Sequence, residues 1–169
     1  MANTYVLINS STVGSGGVSS VTFSSIPAIY TDLKVIASAR TTTSSVSDEF
    51  YVQFNGLTTN LTYKSLIGIT NTSTAVSNTS SSGYFDGDTA TANTFGNAEI
   101  YIPNYTSSNY KSVSVDSVNE NNSTTTRPTL NTTLWSSTAA ITSITLISAT
   151  SSSLMQYSSF YLYGINNSI

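Results

Sequence analysis

Leu33-Lys34-Val35-Ile36-Ala37-Ser38-Ala39-Arg40 and Phe50-Tyr51-Val52-Gln53-Phe54-Asn55-Gly56 decide how this chain reads. In the first, Leu33, Val35, Ala37 and Ala39 alternate with Lys34, Ile36, Ser38 and Arg40. In the second, Phe50, Val52 and Phe54 alternate with Tyr51, Gln53 and Asn55, and Asn55-Gly56 is a turn signal. Successive side chains of a strand point to opposite faces, so a period of two predicts half-buried strands.

The same period recurs on both sides. Tyr5-Val6-Leu7-Ile8 reads as a short first strand, followed by a Gly/Ser loop from Val13 to Gly17. Val18, Val21 and Phe23 mark a second strand that ends at Ile26-Pro27. Downstream, Leu61, Tyr63, Ser65, Ile67 and Ile69 form another alternation. Tyr84-Phe85 restarts order after a polar run. Ala98, Ile100 and Ile102 oppose Asn97, Glu99 and Tyr101, and Val113 and Val115 alternate with Ser112, Ser114 and Asp116. Ile141 to Ile147 and Met155 to Ile165 read as the last two strands. Residues 70–82 and 119–127 are dominated by Ser, Thr and Asn and are expected to be exposed loops. Thr129 to Trp135 fits either a strand or a short helix. The pattern predicts an all-β chain of about eight to ten strands, folded as an antiparallel, jelly-roll-like β-sandwich. At 169 residues, one domain spanning 1–169 is the natural organisation.

Composition narrows the chemistry. Only 8% of the residues are charged, against about 25% in an ordinary soluble domain. Ser, Thr and Asn together make up roughly 46%, far above average usage. Such a composition also suits a disordered tract, but the 11% aromatic content and the long alternating blocks argue for a fold. There is no Cys and no His, so disulfides, thiolate nucleophiles, Cys-ligated zinc and a Ser/His pair are excluded. The net charge of −3 offers little attraction to a nucleic-acid backbone. No stretch reaches the ~20 apolar residues of a membrane helix. Met1-Ala2-Asn3-Thr4-Tyr5 lacks the basic start of a signal peptide. The sequence-based expectation is a protein made in a cytoplasm and used whole, with neither nucleic acid nor membrane as partner.

Few residues carry candidate chemistry. Asp48-Glu49 is half of a carboxylate pair for acid/base work, or a solvated strand entry, and the second reading is favoured. Asp86-Gly87-Asp88 can place two carboxylates around a turn for Ca²⁺, but plain turn chemistry explains the same residues. Asp116 is expected on the solvent face, near Glu120. Glycosidase chemistry would need two of these carboxylates at a set separation, and no pair stands out. Trp135 can stack on a sugar or pack in the core. Tyr157, Tyr161 and Tyr163 recur at even spacing and are expected to line one face of the last strand, either as an aromatic binding surface or as a plain Tyr-covered sheet face, and the second reading is favoured. Gly14, Gly16 and Gly17 are not followed by the helix a dinucleotide site needs. Asn-x-Ser/Thr triplets, as at Asn60, Asn71, Asn104 and Asn131, arise by chance in this composition. No catalytic residue and no cofactor is expected.

Three stretches carry a resemblance. The opening Ala2-Asn3-Thr4-Tyr5-Val6-Leu7-Ile8 leads into Ser25-Ile26-Pro27-Ala28-Ile29-Tyr30-Thr31-Asp32-Leu33. The middle holds Thr94-Phe95-Gly96-Asn97-Ala98-Glu99-Ile100-Tyr101-Ile102-Pro103-Asn104-Tyr105. The end holds Leu134-Trp135-Ser136-Ser137-Thr138-Ala139-Ala140-Ile141-Thr142-Ser143-Ile144-Thr145-Leu146 and Phe160-Tyr161-Leu162-Tyr163-Gly164-Ile165. Together these resemble small β-sandwich structural proteins from the virions of tailed marine and cyanobacterial bacteriophages. The motifs are strand and turn signatures and carry over no functional residues. The resemblance implies a non-enzymatic virion protein made in the host bacterial cytoplasm. Its first implied role is a capsid decoration, or cement, protein on the outside of the head shell, with the major capsid protein and further copies of itself as partners. The alternative is a tail or fibre component, or a carbohydrate-binding module, that meets a host glycan.

Overall fold

The computed structural model describes residues 4–69, 72–77, 81–122 and 126–166. The described residues form twelve strands: β1 (Tyr5–Thr12), β2 (Ser20–Phe23), β3 (Asp32–Ala39), β4 (Ser47–Phe54), β5 (Leu61–Ile69), β6 (Thr72–Ser77), β7 (Gly83–Asp86), β8 (Gly96–Ile102), β9 (Lys111–Glu120), β10 (Thr126–Trp135), β11 (Ile144–Ser148) and β12 (Ser159–Ile165). Every strand pairing is antiparallel. One sheet has eight strands in the order β1-β12-β3-β8-β9-β10-β5-β6, and the other has four in the order β2-β11-β4-β7.

Setting aside the hairpins β5–β6 and β9–β10 leaves eight strands. Renumbered, they run first-eighth-third-sixth in one sheet and second-seventh-fourth-fifth in the other. That is the double Greek key of a jelly roll, and it confirms the all-β sandwich expected from the alternation. The two hairpins are insertions that extend the first sheet beyond β8.

The apolar core lies between the sheets of the jelly roll. Leu33, Val35, Ala37 and Ala39 of β3 are wholly buried, as are Phe50 and Phe54 of β4. Phe50 stacks on Phe85 with ring centroids 4.1 Å apart, and Phe160 meets Phe85 edge-on at 6.3 Å. Gly83 allows this closeness, because a Cβ there would lie 2.8 Å from the Phe50 ring. Trp135 closes the core against Phe54, with centroids 5.5 Å apart.

Beneath the added hairpins the interior turns polar. The inward positions of β10 are Thr129, Asn131, Thr133 and Trp135, and all are buried. Its outward positions include Leu130, 55% exposed, and Leu134. The polarity of this strand is therefore inverted, which is why its sequence fits two readings.

Several expectations are corrected. There are twelve strands among the described residues, above the eight to ten expected. The polar run at 70–82 contains β6, and the run at 119–127 contains the ends of β9 and β10. Residues 70–71, 78–80 and 123–125 of those runs lie outside the described residues. Thr and Ser support a strand well when a partner strand supplies the hydrogen bonds, but they carry no hydrophobic alternation to reveal it. The last two strands start later than expected, at Ile144 and Ser159. Ile141 is instead a buried loop residue whose N–H donates to the Tyr105 carbonyl at 2.9 Å.

Candidate functional site

The sparse charges hold the loops through neutral partners. Among the described residues there is one ion pair, Lys34 to Glu99 at 2.7 Å. Arg40 is buried, and its guanidinium donates to four backbone carbonyls of the 88–94 loop. Nη1 reaches Thr91 at 2.7 Å and Thr94 at 3.1 Å, and Nη2 reaches Asp88 at 2.9 Å and Ala90 at 3.0 Å. Lys111 is also buried and donates to the carbonyls of Ala139 at 2.6 Å, Ser107 at 2.7 Å and Ser137 at 3.3 Å. Burial pushes its pKa down. Neither residue was singled out in the sequence. Lys111 could have been, because it shares the parity of the inward Val113 and Val115.

The carboxylates follow the same rule. Asp48 was expected at a solvated strand entry, but it is 1% exposed. Its parity matches Phe50 and Val52, so it points inward, where Ser148 Oγ donates to it at 2.6 Å and Thr150 Oγ1 at 3.1 Å. Glu49 faces the other way and accepts from the Tyr84 hydroxyl at 2.8 Å. Asp32 accepts from the Tyr101 hydroxyl and the Asn104 N–H, both at 2.8 Å. Asp116 is exposed, as expected.

Asp86 and Asp88 were the calcium candidates. Asp86 is buried and accepts from the Glu120 N–H at 3.1 Å, while the Asp88 side chain is exposed. Burial raises the Asp86 pKa, opposed by hydrogen bonds from the Glu120 backbone and Thr94. The loop carbonyls that a cation would draw on are held by Arg40. Among the described residues, no three His, Cys, Asp or Glu side chains gather as a metal-holding group.

The four aromatic candidates separate. Trp135 is wholly buried and offers no surface for stacking; the wide indole fills the sandwich end, as the packing reading has it. Tyr161 and Tyr163 do share the outer face of β12, with Tyr161 37% exposed. Tyr157 is not on that strand. It sits in the preceding turn at φ 73°, 70% exposed, with its N–H donating to the Val13 carbonyl at 3.0 Å.

The outer face of the eight-stranded sheet is the first candidate surface. One cross-strand row runs Leu7, Tyr163, Lys34, Tyr101, Ser114, Thr132 and Lys64. The next runs Tyr161, Ile36, Glu99, Asp116, Leu130 and Leu66. Tyr5 joins the first row by an edge contact to Tyr163 at 6.4 Å, with Lys34 Nζ 5.7 Å above its ring. Leu7 is 52% exposed and Leu66 47%. A shallow groove of about 580 Å³ lies between Tyr101, Pro103, Leu134 and Lys64.

The second candidate is a pocket of about 210 Å³ at the inserted hairpins, lined by Val46, Ser47, Gly68, Asn119, Thr126 and Arg127. Arg127 and Asn119 are direct partners across the β9–β10 ladder. The guanidinium lies 3.8 Å from the Tyr84 ring centroid, and its Nη1 donates to Ser47 Oγ at 3.1 Å.

No protein-family model matches the chain, and no curated protein or solved structure is significantly similar to it, so the phage-virion resemblance stands on the quoted sequence motifs alone.

Proposed function

We propose that the protein is a non-enzymatic structural component of a tailed-phage virion, a decoration protein that lays the outer face of its large sheet on the outside of the head shell. Its partners in this reading are the major capsid protein and neighbouring copies of itself. The observation that carries the reading is the inverted strand β10, which spends Leu130 and Leu134 on the outer face and puts Thr129, Asn131 and Thr133 inside. Inward polar and outward apolar residues cost stability in a free domain, and the arrangement makes sense when the outer face is covered. Eight strands at ~4.8 Å spacing give a face roughly 34 Å across, ample for the ~800 Å² per partner of a stable contact. The Tyr and Leu positions gather toward the two ends of these rows, Leu7, Tyr163 and Tyr161 at one and Leu130 and Leu66 at the other, with the Lys34–Glu99 ion pair between them. The pinned loops suit a rigid covering element.

The test is location. The purified protein is added to heads and to tails separated from the particle whose genome encodes it, and bound protein is imaged and counted. Binding to heads, lost at least tenfold in Leu130→Ser/Leu66→Ser, is the expected outcome. Binding confined to tails overturns the decoration role in favour of a tail or fibre component. Binding to neither overturns the virion reading itself.

A further inference from the structure

The Arg127 pocket asks for a ligand that the sheet face does not explain. Among the described residues, Arg127 Nε is buried and makes no hydrogen bond, and Asn119 Oδ1, on a side chain 2% exposed, makes none either. Asn119 spends its amide nitrogen on the Glu120 carbonyl at 3.0 Å. A buried polar atom without a partner is destabilising, so two of them on one cross-strand pair are not an arrangement that packing favours. Arg127 also lacks a carboxylate partner among the described residues, where the one ion pair is Lys34–Glu99. Its face is covered by Tyr84 and its Nη1 donates to Ser47, so the guanidinium is held in place with Nε unpaired among the described residues.

We propose that this pocket binds a hydroxy-carboxylate of monosaccharide size, the chemistry of a uronic acid. A guanidinium edge matches a planar carboxylate through paired hydrogen bonds. Asn119 Oδ1 needs a donor, which an ionised carboxylate lacks and a neighbouring hydroxyl supplies. Ser47 and Thr126 add hydroxyls at the rim, and Val46 and Gly68 supply the apolar wall. The pocket is smaller than the ~300–1,000 Å³ of sites for drug-sized ligands, which limits it to one sugar residue. Such an acid is available both free and as a residue of an acidic polysaccharide, and the pocket chemistry is the same for both. This inference does not depend on where the outer sheet face docks.

The experiment is an NMR titration of the whole chain with D-glucuronate, D-glucose, inorganic phosphate and a glucuronate-containing oligosaccharide. Glucuronate is expected to shift the Arg127 Nε–H signal and the Asn119 side-chain signals, with glucose and phosphate binding at least tenfold more weakly. Arg127→Gln is expected to lose at least tenfold in affinity. Because the signals are read on the unaltered protein, a poorly folding variant does not remove the test. Tighter binding of the oligosaccharide than of glucuronate marks a glycan as the source, and equal binding marks the free acid; both support the pocket. No shift at Arg127, or phosphate binding as well as glucuronate, overturns it.

Discussion

Lys111 and Trp135 face each other across the β9–β10 ladder, both buried, with the ammonium 5.5 Å from the centre of the indole. From there Lys111 reaches carbonyls on two loops, one on each side of the hairpin's open end. Lys111→Met keeps the stem and removes the donors, leaving three carbonyls without this partner. At roughly 1 kcal/mol or more for each carbonyl left unsatisfied, the variant is expected to lose about 2–4 kcal/mol in urea unfolding. The ammonium pKa is lowered by burial, so between its folded value and the unfolded ~10.4 the unfolded chain holds more protons. Stability from this group therefore rises as pH climbs through that window. A parent protein whose alkaline slope matches that of Lys111→Met would show that the lysine does not titrate this way.

How much of this was legible in the sequence depends on which side chains face inward. β3, β4 and β8 were legible because Leu33, Phe50 and Ile100 repeat with a period of two. β6 was not, because the strand TSTAVS carries too few apolar residues to show a period. β10 was ambiguous because its parity carries the opposite meaning to β3: Leu130 and Leu134 point out, and Thr129 and Asn131 point in. Asp48 was misplaced as solvated although it shares the parity of Phe50. The Arg127 pocket was invisible, because it joins Ser47 of β4, Gly68 of β5 and Asn119 of β9, which only the fold brings together.

Two carboxylates beside the 88–94 loop should respond to acid in opposite directions. Burial raises Asp86, so the folded state holds the proton longer than the unfolded chain. Its contribution is present at low pH and is lost as pH rises through the folded value. Asp86→Asn keeps an acceptor for the Glu120 N–H and is expected to gain on the parent as pH rises from about 4. For Glu120, burial acts to raise the pKa, but hydrogen bonds from Thr91, Asn122 and Thr94 outweigh it and lower it. That contribution is present above the unfolded pKa of about 4.3 and is lost as pH falls through the lower folded value. Glu120→Gln should thus be the weaker protein at neutral pH, and its deficit should shrink in acid. Thermal melts from pH 3 to 7 compare the two, and slopes of the same sign in both variants would contradict this assignment.

The two apolar faces of the large sheet should behave differently on substitution. Trp135→Ala empties a wholly buried site and is expected to cost about 3–5 kcal/mol, with the parent Trp emission blue-shifted and insensitive to quenchers. Leu130→Ser and Tyr161→Ser lie on the outer face and are expected to change stability by no more than about 0.5 kcal/mol. Their effect should appear in association, measured by sedimentation at rising protein concentration or by binding to isolated heads. An outer-face variant that melts as early as Trp135→Ala would mean that face is already covered within the monomer.

Tyr157 holds a bulky side chain at φ 73°, a region where residues other than Gly, Asn and Asp are rare. Its ring is largely exposed, so core packing does not account for the choice. The turn is closed by Ser158 N–H donating to the Met155 carbonyl at 3.1 Å, and Tyr157 N–H ties it to Val13. A left-handed conformation costs a non-glycine residue roughly 1–2 kcal/mol. Tyr157→Gly removes that cost while loosening the unfolded chain by a fraction of it. The variant is therefore expected to match or exceed the parent in stability, by up to about 1 kcal/mol, while Tyr157→Val falls below it. Urea midpoints of the three proteins check this order. If Tyr157→Gly instead loses more than about 1 kcal/mol, the ring makes a stabilising contact in solution, and Tyr157 is not a spare aromatic at the sandwich end.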